Sequence, residues 1–237
     1  YEVLKDVNPS IVYASINGFG ESGPYAERRV YDAVIQAVSG MGALQADPST
    51  EQPIFINQLV CDKLTSVTAA QVISAALVAR ERSGIGQRVD IAMLDASLFF
   101  LWPDAMLNFT FIGDDVPDAP FGTHAIFVRK TKDGYVCTMP VKAPDWLGLF
   151  RALDLPNLLE DDRFDDDEPV GGPLFQSILN EAYARYTTDE LMPRLEANDV
   201  PCARINARKD VVDDPQVRSM GSIVEFEHPI GGAMRQP

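Results

Sequence analysis

Apolar positions along this chain recur at two periods, and the places where the period changes mark its elements. Residues 10–16, Ser-Ile-Val-Tyr-Ala-Ser-Ile, are a short apolar run rich in β-branched residues, bounded by Asn8-Pro9 and Gly18, which predicts a buried strand. Tyr31, Val34, Ile35 and Val38 then recur at helical spacing until Ser39-Gly40 stops them. Residues 45–58, rich in Pro, Asp and Thr, read as loop. The clearest pattern runs from Lys63 to Arg82. Leu64, Val67, Ala70, Ile73 and Leu77 form one stripe, and Val72, Ala75, Ala76 and Val78 make other faces apolar too, which predicts a buried helix. Asp62 falls at the N-cap of this helix, Arg80 and Arg82 in its last turn, and Gly84 and Gly86 beyond its end. Residues 87–93 alternate as a strand, and 95–111 read as a helix interrupted at Pro103.

The character changes after a turn-rich stretch at 113–120. Residues 125–128 and 135–139, on either side of Lys132-Asp133-Gly134, carry a hairpin signature. Helical patterns follow at 145–153, 174–186 and 188–198, with a last strand at 222–226. The pattern predicts an α/β portion up to a boundary near residue 115 and a smaller α+β portion after it. There are no internal repeats. Residues 1–95 offer only two convincing strands, whereas a doubly wound sheet needs several, covered on both faces. Further strands are therefore expected from another chain or from a longer protein.

Composition narrows the class of function. Of 237 residues, 46% are hydrophobic and 23% charged, an ordinary globular balance, and no apolar run approaches the ~20 residues that span a bilayer. Three cysteines without metal-ligand spacing suit a reducing, cytoplasmic setting. A net charge of −15 makes nucleic acid and anionic membranes poor partners. It also repels an anionic cofactor unless basic residues gather locally. They do so at Arg28-Arg29 and at Arg129-Lys130-Thr131-Lys132, although charge patterning alone reads both as solvated loops. The acidic stretches 160–162 and 165–168 lack EF-hand spacing and read as a solvated loop, not a metal site.

Few residues are equipped for chemistry. Gly18-Phe19-Gly20-Glu21-Ser22-Gly23 has the lettering of a dinucleotide fingerprint, but Pro24 and Glu27-Arg28-Arg29 intervene before helical spacing begins. No helix N-terminus is placed to meet a pyrophosphate, so the glycines read as a turn. The histidines, His124 and His228, have no serine elbow to serve, and no Cys or His pair has zinc spacing, so no metal is expected. His124 reads as a loop residue. Asp62 has two readings: a plain helix cap, or a carboxylate stabilised as an anion by the helix dipole and able to attack an activated acyl group. Position alone leaves both open.

Several segments, taken in order, resemble the class III coenzyme A transferases and their relatives, the α-methylacyl-CoA racemases. These are Asn8-Pro9-Ser10-Ile11-Val12-Tyr13, the Gly18–Pro24 turn, Val30-Tyr31-Asp32, Gln36-Ala37-Val38-Ser39-Gly40, Asp62 with the helix closing at Ala76-Leu77-Val78-Ala79-Arg80, and Ser83-Gly84-Ile85-Gly86-Gln87. Val89–Ala96, Lys132-Asp133-Gly134-Tyr135-Val136 and Asn198-Asp199-Val200-Pro201-Cys202-Ala203 continue the likeness. The resemblance implies that residues 1–115 are part of a Rossmann-like large domain with an exit helix, 116–215 a small α+β domain, and 216–237 a segment returning towards the large domain. It implies an α/β fold that is incomplete here, with segments expected before Tyr1 and beyond Pro237.

The same resemblance implies that Asp62 is the catalytic aspartate. It would transfer coenzyme A between small carboxylic acids through an aspartyl-acyl anhydride and an aspartyl-CoA thioester. Acyl-CoA thioesters are then substrates, and two chains interlock as a homodimer in the full-length protein. Arg29, Val30, Tyr31 and Met93 fall on positions lining the CoA site, and Gly122 marks a loop facing the substrate. The racemases place a histidine where this chain has Tyr31; racemisation needs a second proton-transfer group, so Tyr31 favours transfer. Formyl-CoA transferase has a run of glycines where Phe121-Gly122-Thr123 has one, which argues against formyl specificity. The alternatives are a 2-methylacyl-CoA racemase and a non-catalytic fragment. Most of the nucleotide pocket in the family comes from residues upstream, so this chain by itself is expected to bind CoA weakly.

Overall fold

Parallel strands need a long crossover, and the first half of the chain supplies one. The computed structural model describes residues 1–106, 109–113, 127–164 and 170–237, and the chain divides into two units, Tyr1–Gly122 and Thr123–Pro237. In the first, α1 (Glu2–Val7) leads into β1 (Tyr13–Asn17). Then come α2 (Asp32–Val38), α3 (Met41–Leu44), α4 (Val60–Ser83), β2 (Arg88–Ala92) and α5 (Met93–Leu101). β1 and β2 pair in parallel, with Tyr13 opposite Arg88 and Asn17 opposite Ala92, so α2–α4 form the crossover. Gly86 permits the pairing. Its N–H donates to the Pro9 carbonyl at 2.9 Å, and a Cβ at this position would overlap the backbone of Ile11. Ile35, Met41, Cys61, Leu101 and Ala105 form the core between the helices.

Two expectations for this unit are corrected. The long helix is not buried all round: Cys61, Thr65, Ala69 and Ala76 are its buried residues, while Val67 is 70% exposed. The two strands, α2 and α5 cover one side of α4, and its apolar outer side lies open, as does Phe99 of α5 at 83%. The following helix ends at Leu101 instead of running to 111, because Pro103 restricts the residue before it and offers no N–H to continue the ladder.

In the second unit β3 (Val128–Lys130) and β4 (Tyr135–Thr138) pair antiparallel. The first strand of this hairpin lies later than the expected 125–128, whose first two residues fall outside the described residues. Thr131 sets the register. Its N–H donates to the Gly134 carbonyl and its hydroxyl accepts from the Gly134 N–H, both at 3.0 Å, leaving Lys130 opposite Tyr135. Helices α6 (Ala143–Ala152), α7 (Pro173–Tyr183) and α8 (Thr188–Ala197) follow. Next are β5 (Cys202–Arg204), which joins β4, α9 (Pro215–Met220), and a hairpin of β6 (Val224–His228) and β7 (Gly232–Gln236). β5, α9 and β7 escape the sequence reading because each is short and largely exposed, without a periodic apolar stripe. The basic cluster at 129–132 is not wholly a solvated loop, since Arg129 is buried within β3.

The core of this unit packs α6, α7 and α8 against the sheet, with the Phe175 ring in edge contact with Trp146, Phe150 and Phe164. Tyr183 is fully buried, and its hydroxyl lies 2.5 Å from that of Thr138. Burial pushes the Tyr183 phenol from an ordinary 10.0 up to about 12. Below pH 10 both folded and unfolded chains hold this proton. Between 10 and about 12 only the folded chain does, so the unfolded state binds fewer protons and stability falls as pH rises. The loss from this group is on the order of 2 kcal/mol across that window. Urea unfolding midpoints measured on either side of it should fall more steeply for the wild type than for Tyr183→Phe. Parallel slopes would contradict the assignment.

Candidate active site

The first unit is tied together by one buried acid. Asp32, the first residue of α2, is 4% exposed. Its Oδ2 accepts the backbone N–H of Cys61 at 2.7 Å and that of Asp62 at 3.1 Å, and its Oδ1 accepts Gln36 Nε2 at 2.6 Å. Gln36, one turn further along α2, extends the network. Its Nε2 lies 3.2 Å from the carbonyls of Ile56 and Gln58, and its Oε1 accepts the Ile56 N–H at 2.9 Å. The first N–H groups of a helix have no partner within it, and Leu59, the N-cap of α4, has no acceptor side chain to offer. Asp32 fills that role from 29 and 30 residues away. Its charge also suits the positive end of the α4 dipole and strengthens both bonds.

This arrangement corrects the placement of Asp62. The helix begins at Val60, so Asp62 is the third residue of its first turn and not the cap. Its backbone is engaged, through the N–H held by Asp32 and a carbonyl that accepts the Ser66 hydroxyl at 2.8 Å. Its side chain is exposed, and among the described residues no donor hydrogen-bonds its carboxylate. The acid is therefore positioned rigidly by its main chain while its oxygens remain free to react. Neighbouring Cys61 is fully buried. Burial pushes its thiol up, and the charges of Asp32 and Asp62 push in the same direction. A thiol held neutral and enclosed is a poor nucleophile, and the Asp62 carboxylate is the exposed group of this turn.

Arg29, Val30 and Tyr31 immediately precede Asp32 and are thereby fixed close to the start of α4. Tyr31 is the N-cap of α2, its carbonyl accepting the Val34 N–H at 2.9 Å while its ring stands exposed. The Arg29 guanidinium, also exposed, reaches the Tyr31 hydroxyl at 3.4 Å. Val30, like Val60, Leu64 and Met93, packs against the core cluster of this unit. It lies so close over Gly18 that a Cβ there would overlap its side chain. Gly18 also accepts the N–H of Leu94 at 3.0 Å, which fixes the first turn of α5 where Met93 sits. Val30, Met93 and the opening turn of α4 thus share one core cluster. Gly122 and His124 lie outside the described residues. His228 serves a turn, its Nδ1 accepting the N–H groups of Ile230 and Gly231. No helix opens within the Gly18–Gly23 turn, in keeping with its reading as a connector.

Asp32 and Gln36 are the site residues that the sequence reading passes over. Their only local signal is a pair of polar residues four apart on the face of α2 that also carries the core residue Ile35.

A parallel strand pair whose crossover helix opens on an exposed aspartate is an α/β scaffold. The known proteins it resembles give it a family. Residues 1–237 match the family described as CoA-transferase family III, and the chain belongs to it. It is 29% identical, over 96% of its length, to succinate–glutarate CoA-transferase of Agrobacterium fabrum, and 31% identical, over 98%, to formyl-CoA:oxalate CoA-transferase of Streptomyces avermitilis. The chain spans 58% and 61% of the lengths of those two proteins. The crystal structure of a CAIB/BAIF family protein from Brucella suis superposes with a TM-score of 0.76 at 28% identity, over 100% of this chain and 67% of that one.

The capping role of Asp32 is open to a direct test. In Asp32→Asn one oxygen can still face the α4 N–H groups, but the new amide then points its donors at Gln36 Nε2, also a donor. Unfolding in urea should show a loss of about 2 kcal/mol for this variant and more for Asp32→Ala. A midpoint unchanged in both variants would show that the network does not hold the fold.

Proposed function

We propose that the protein transfers coenzyme A between carboxylic acids, with Asp62 as the carboxylate that takes the acyl group. The observation that carries this reading is the contrast within a single residue, a main chain pinned by Asp32 and a side chain left exposed and unbonded. Such an acid starts from a fixed backbone position, and among the described residues its side chain has no hydrogen bond to break before it attacks.

The sequence of bonds then balances without a proton. A carboxylate oxygen of Asp62 attacks the thioester carbonyl of the donor; the C–S bond breaks, coenzyme A leaves as the thiolate, and an aspartyl-acyl anhydride forms. The thiolate attacks the Asp62 side-chain carbonyl of this anhydride, releasing the donor acid as its carboxylate and leaving an aspartyl-CoA thioester. An acceptor carboxylate attacks the same carbonyl and expels the thiolate, which attacks the acceptor's acyl carbon and frees Asp62. Every nucleophile in these steps is already an anion, so no general base is required. Splitting a transfer between two weakly reactive partners into covalent steps is what nucleophilic catalysis supplies.

Arg29 contributes positive charge for a phosphate-bearing cofactor in an acidic protein, while Val30, Tyr31 and Met93 line part of the coenzyme A site in this proposal. Gly122 marks the loop that faces the substrate, and the full-length protein works as an interlocked homodimer. The acids in the relatives' names, succinate, glutarate, formate and oxalate, are the first to test as donors and acceptors.

Mass spectrometry of the full-length protein incubated with succinyl-CoA or formyl-CoA should find an acyl or coenzyme A adduct on the peptide containing Asp62. Asp62→Ala and Asp62→Asn should lack the adduct and lose at least ~1,000-fold in turnover. Both should keep their thermal midpoint, because the Asp62 side chain bonds to nothing among the described residues. Turnover surviving in Asp62→Ala, or an adduct on another residue, would sink the proposal.

A further inference from the structure

The described arginines fall into two groups, with one exception. Arg80, Arg88, Arg163, Arg194, Arg204, Arg218 and Arg235 each pair with a carboxylate at or near the surface, and Arg28, Arg29, Arg82, Arg151, Arg185 and Arg208 are exposed. Arg129 is the exception, the one buried arginine among the described residues, at 7% exposure. No Asp or Glu among the described residues bonds to it. Its Nη1 donates to Asn180 Oδ1 at 2.8 Å and its Nη2 to Gln176 Oε1 at 2.6 Å, both neutral acceptors. The ring of Tyr183 stands 5.7 Å from its guanidinium carbon. Among the described residues, two of the five guanidinium N–H groups are thus used, and no carboxylate neutralises the charge. Burial pulls this guanidinium down from its ordinary value, the sign of a charge removed from water without full compensation.

Arg129 also lines a cavity of about 180 Å³ whose described lining residues all belong to the second unit. Thr138 and Gln176 add polar groups to its lining, and Trp146, Leu149 and Leu179 add apolar ones. Gly171, which also lines it, is exposed. At ~30 Å³ per water in the liquid, the volume corresponds to about six waters, or to a small organic acid with a short tail. A buried charge is usually paired, and the geometry of a guanidinium fork matches a carboxylate through two parallel N–H bonds.

We propose that this cavity is a binding site for a short-chain monocarboxylate, its carboxylate on Arg129 and its alkyl tail against Trp146, Leu149 and Leu179. The site does not depend on the role assigned to Asp62, and it can fail or stand without it.

Calorimetric titration of the chain with butanoate tests the assignment, with 1-butanol and inorganic phosphate as separate arms. Butanoate should bind saturably, 1-butanol at least about tenfold more weakly because it lacks the charge, and phosphate equally weakly because it lacks the tail. Arg129→Met should abolish butanoate binding, and Arg129→Lys, which keeps the charge without the fork, should weaken it about tenfold. If the methionine variant does not fold, the wild-type series still decides. The proposal is overturned if butanoate does not saturate, if 1-butanol or phosphate binds as well as butanoate does, or if Arg129→Met binds butanoate like the wild type.

Discussion

The carboxylate of Asp32 accepts two N–H groups from the first turn of α4 while itself beginning α2, so the two helices are registered to each other at the point where Asp62 stands. Everything proposed for the first unit follows from that bond pair. Tyr31, Val30 and Arg29 are placed because they immediately precede Asp32. The loop before α4 is placed because Gln36 binds both Ile56 and Gln58. Asp62 can leave its side chain unengaged because another residue satisfies the helix end that an N-cap would ordinarily serve. A nucleophile that also caps its own helix would have to break those bonds to react, and the long-range cap removes that conflict.

Much of this was legible in the residues, and the parts that were not share a cause. The strand at β1, the long helix, the strand at β2 and the three helices of the second unit follow from local periodicity, and the structure has them within a few residues. Asp62 stands out because an acid before a long apolar helix is conspicuous at the level of sequence. Its exact place in the first turn is not, since Val60 and Cys61 carry no start signal and the true cap comes from 29 residues upstream. β5 is likewise invisible alone. Three residues become a strand only because β4 offers them an edge. Arg129 looks solvated within a basic run, and only the packing of α7 over β3 buries it. In each case the deciding partner is distant in sequence.

The exposed apolar side of α4 and α5 is the structural counterpart of the small number of strands. A helix apolar on several faces calls for cover on several faces, and two strands, α2 and α5 provide it on one. Val67 and Phe99 remain open to solvent as a result. The placement of the Asp62 main chain does not depend on that cover, because the Asp32 network is internal to the described residues.

The most direct test of Asp62 as the exchanging carboxylate follows an oxygen atom. With acceptor acid labelled with oxygen-18 in its carboxylate, the proposed steps leave one acceptor oxygen on Asp62 when the new acyl-CoA departs. A single turnover of the full-length protein should therefore place the label on the Asp62 peptide and none in the donor acid released. Label found in that first released acid, with the Asp62 peptide unlabelled, would mean that the acceptor attacks the donor thioester directly and that Asp62 never carries the acyl group.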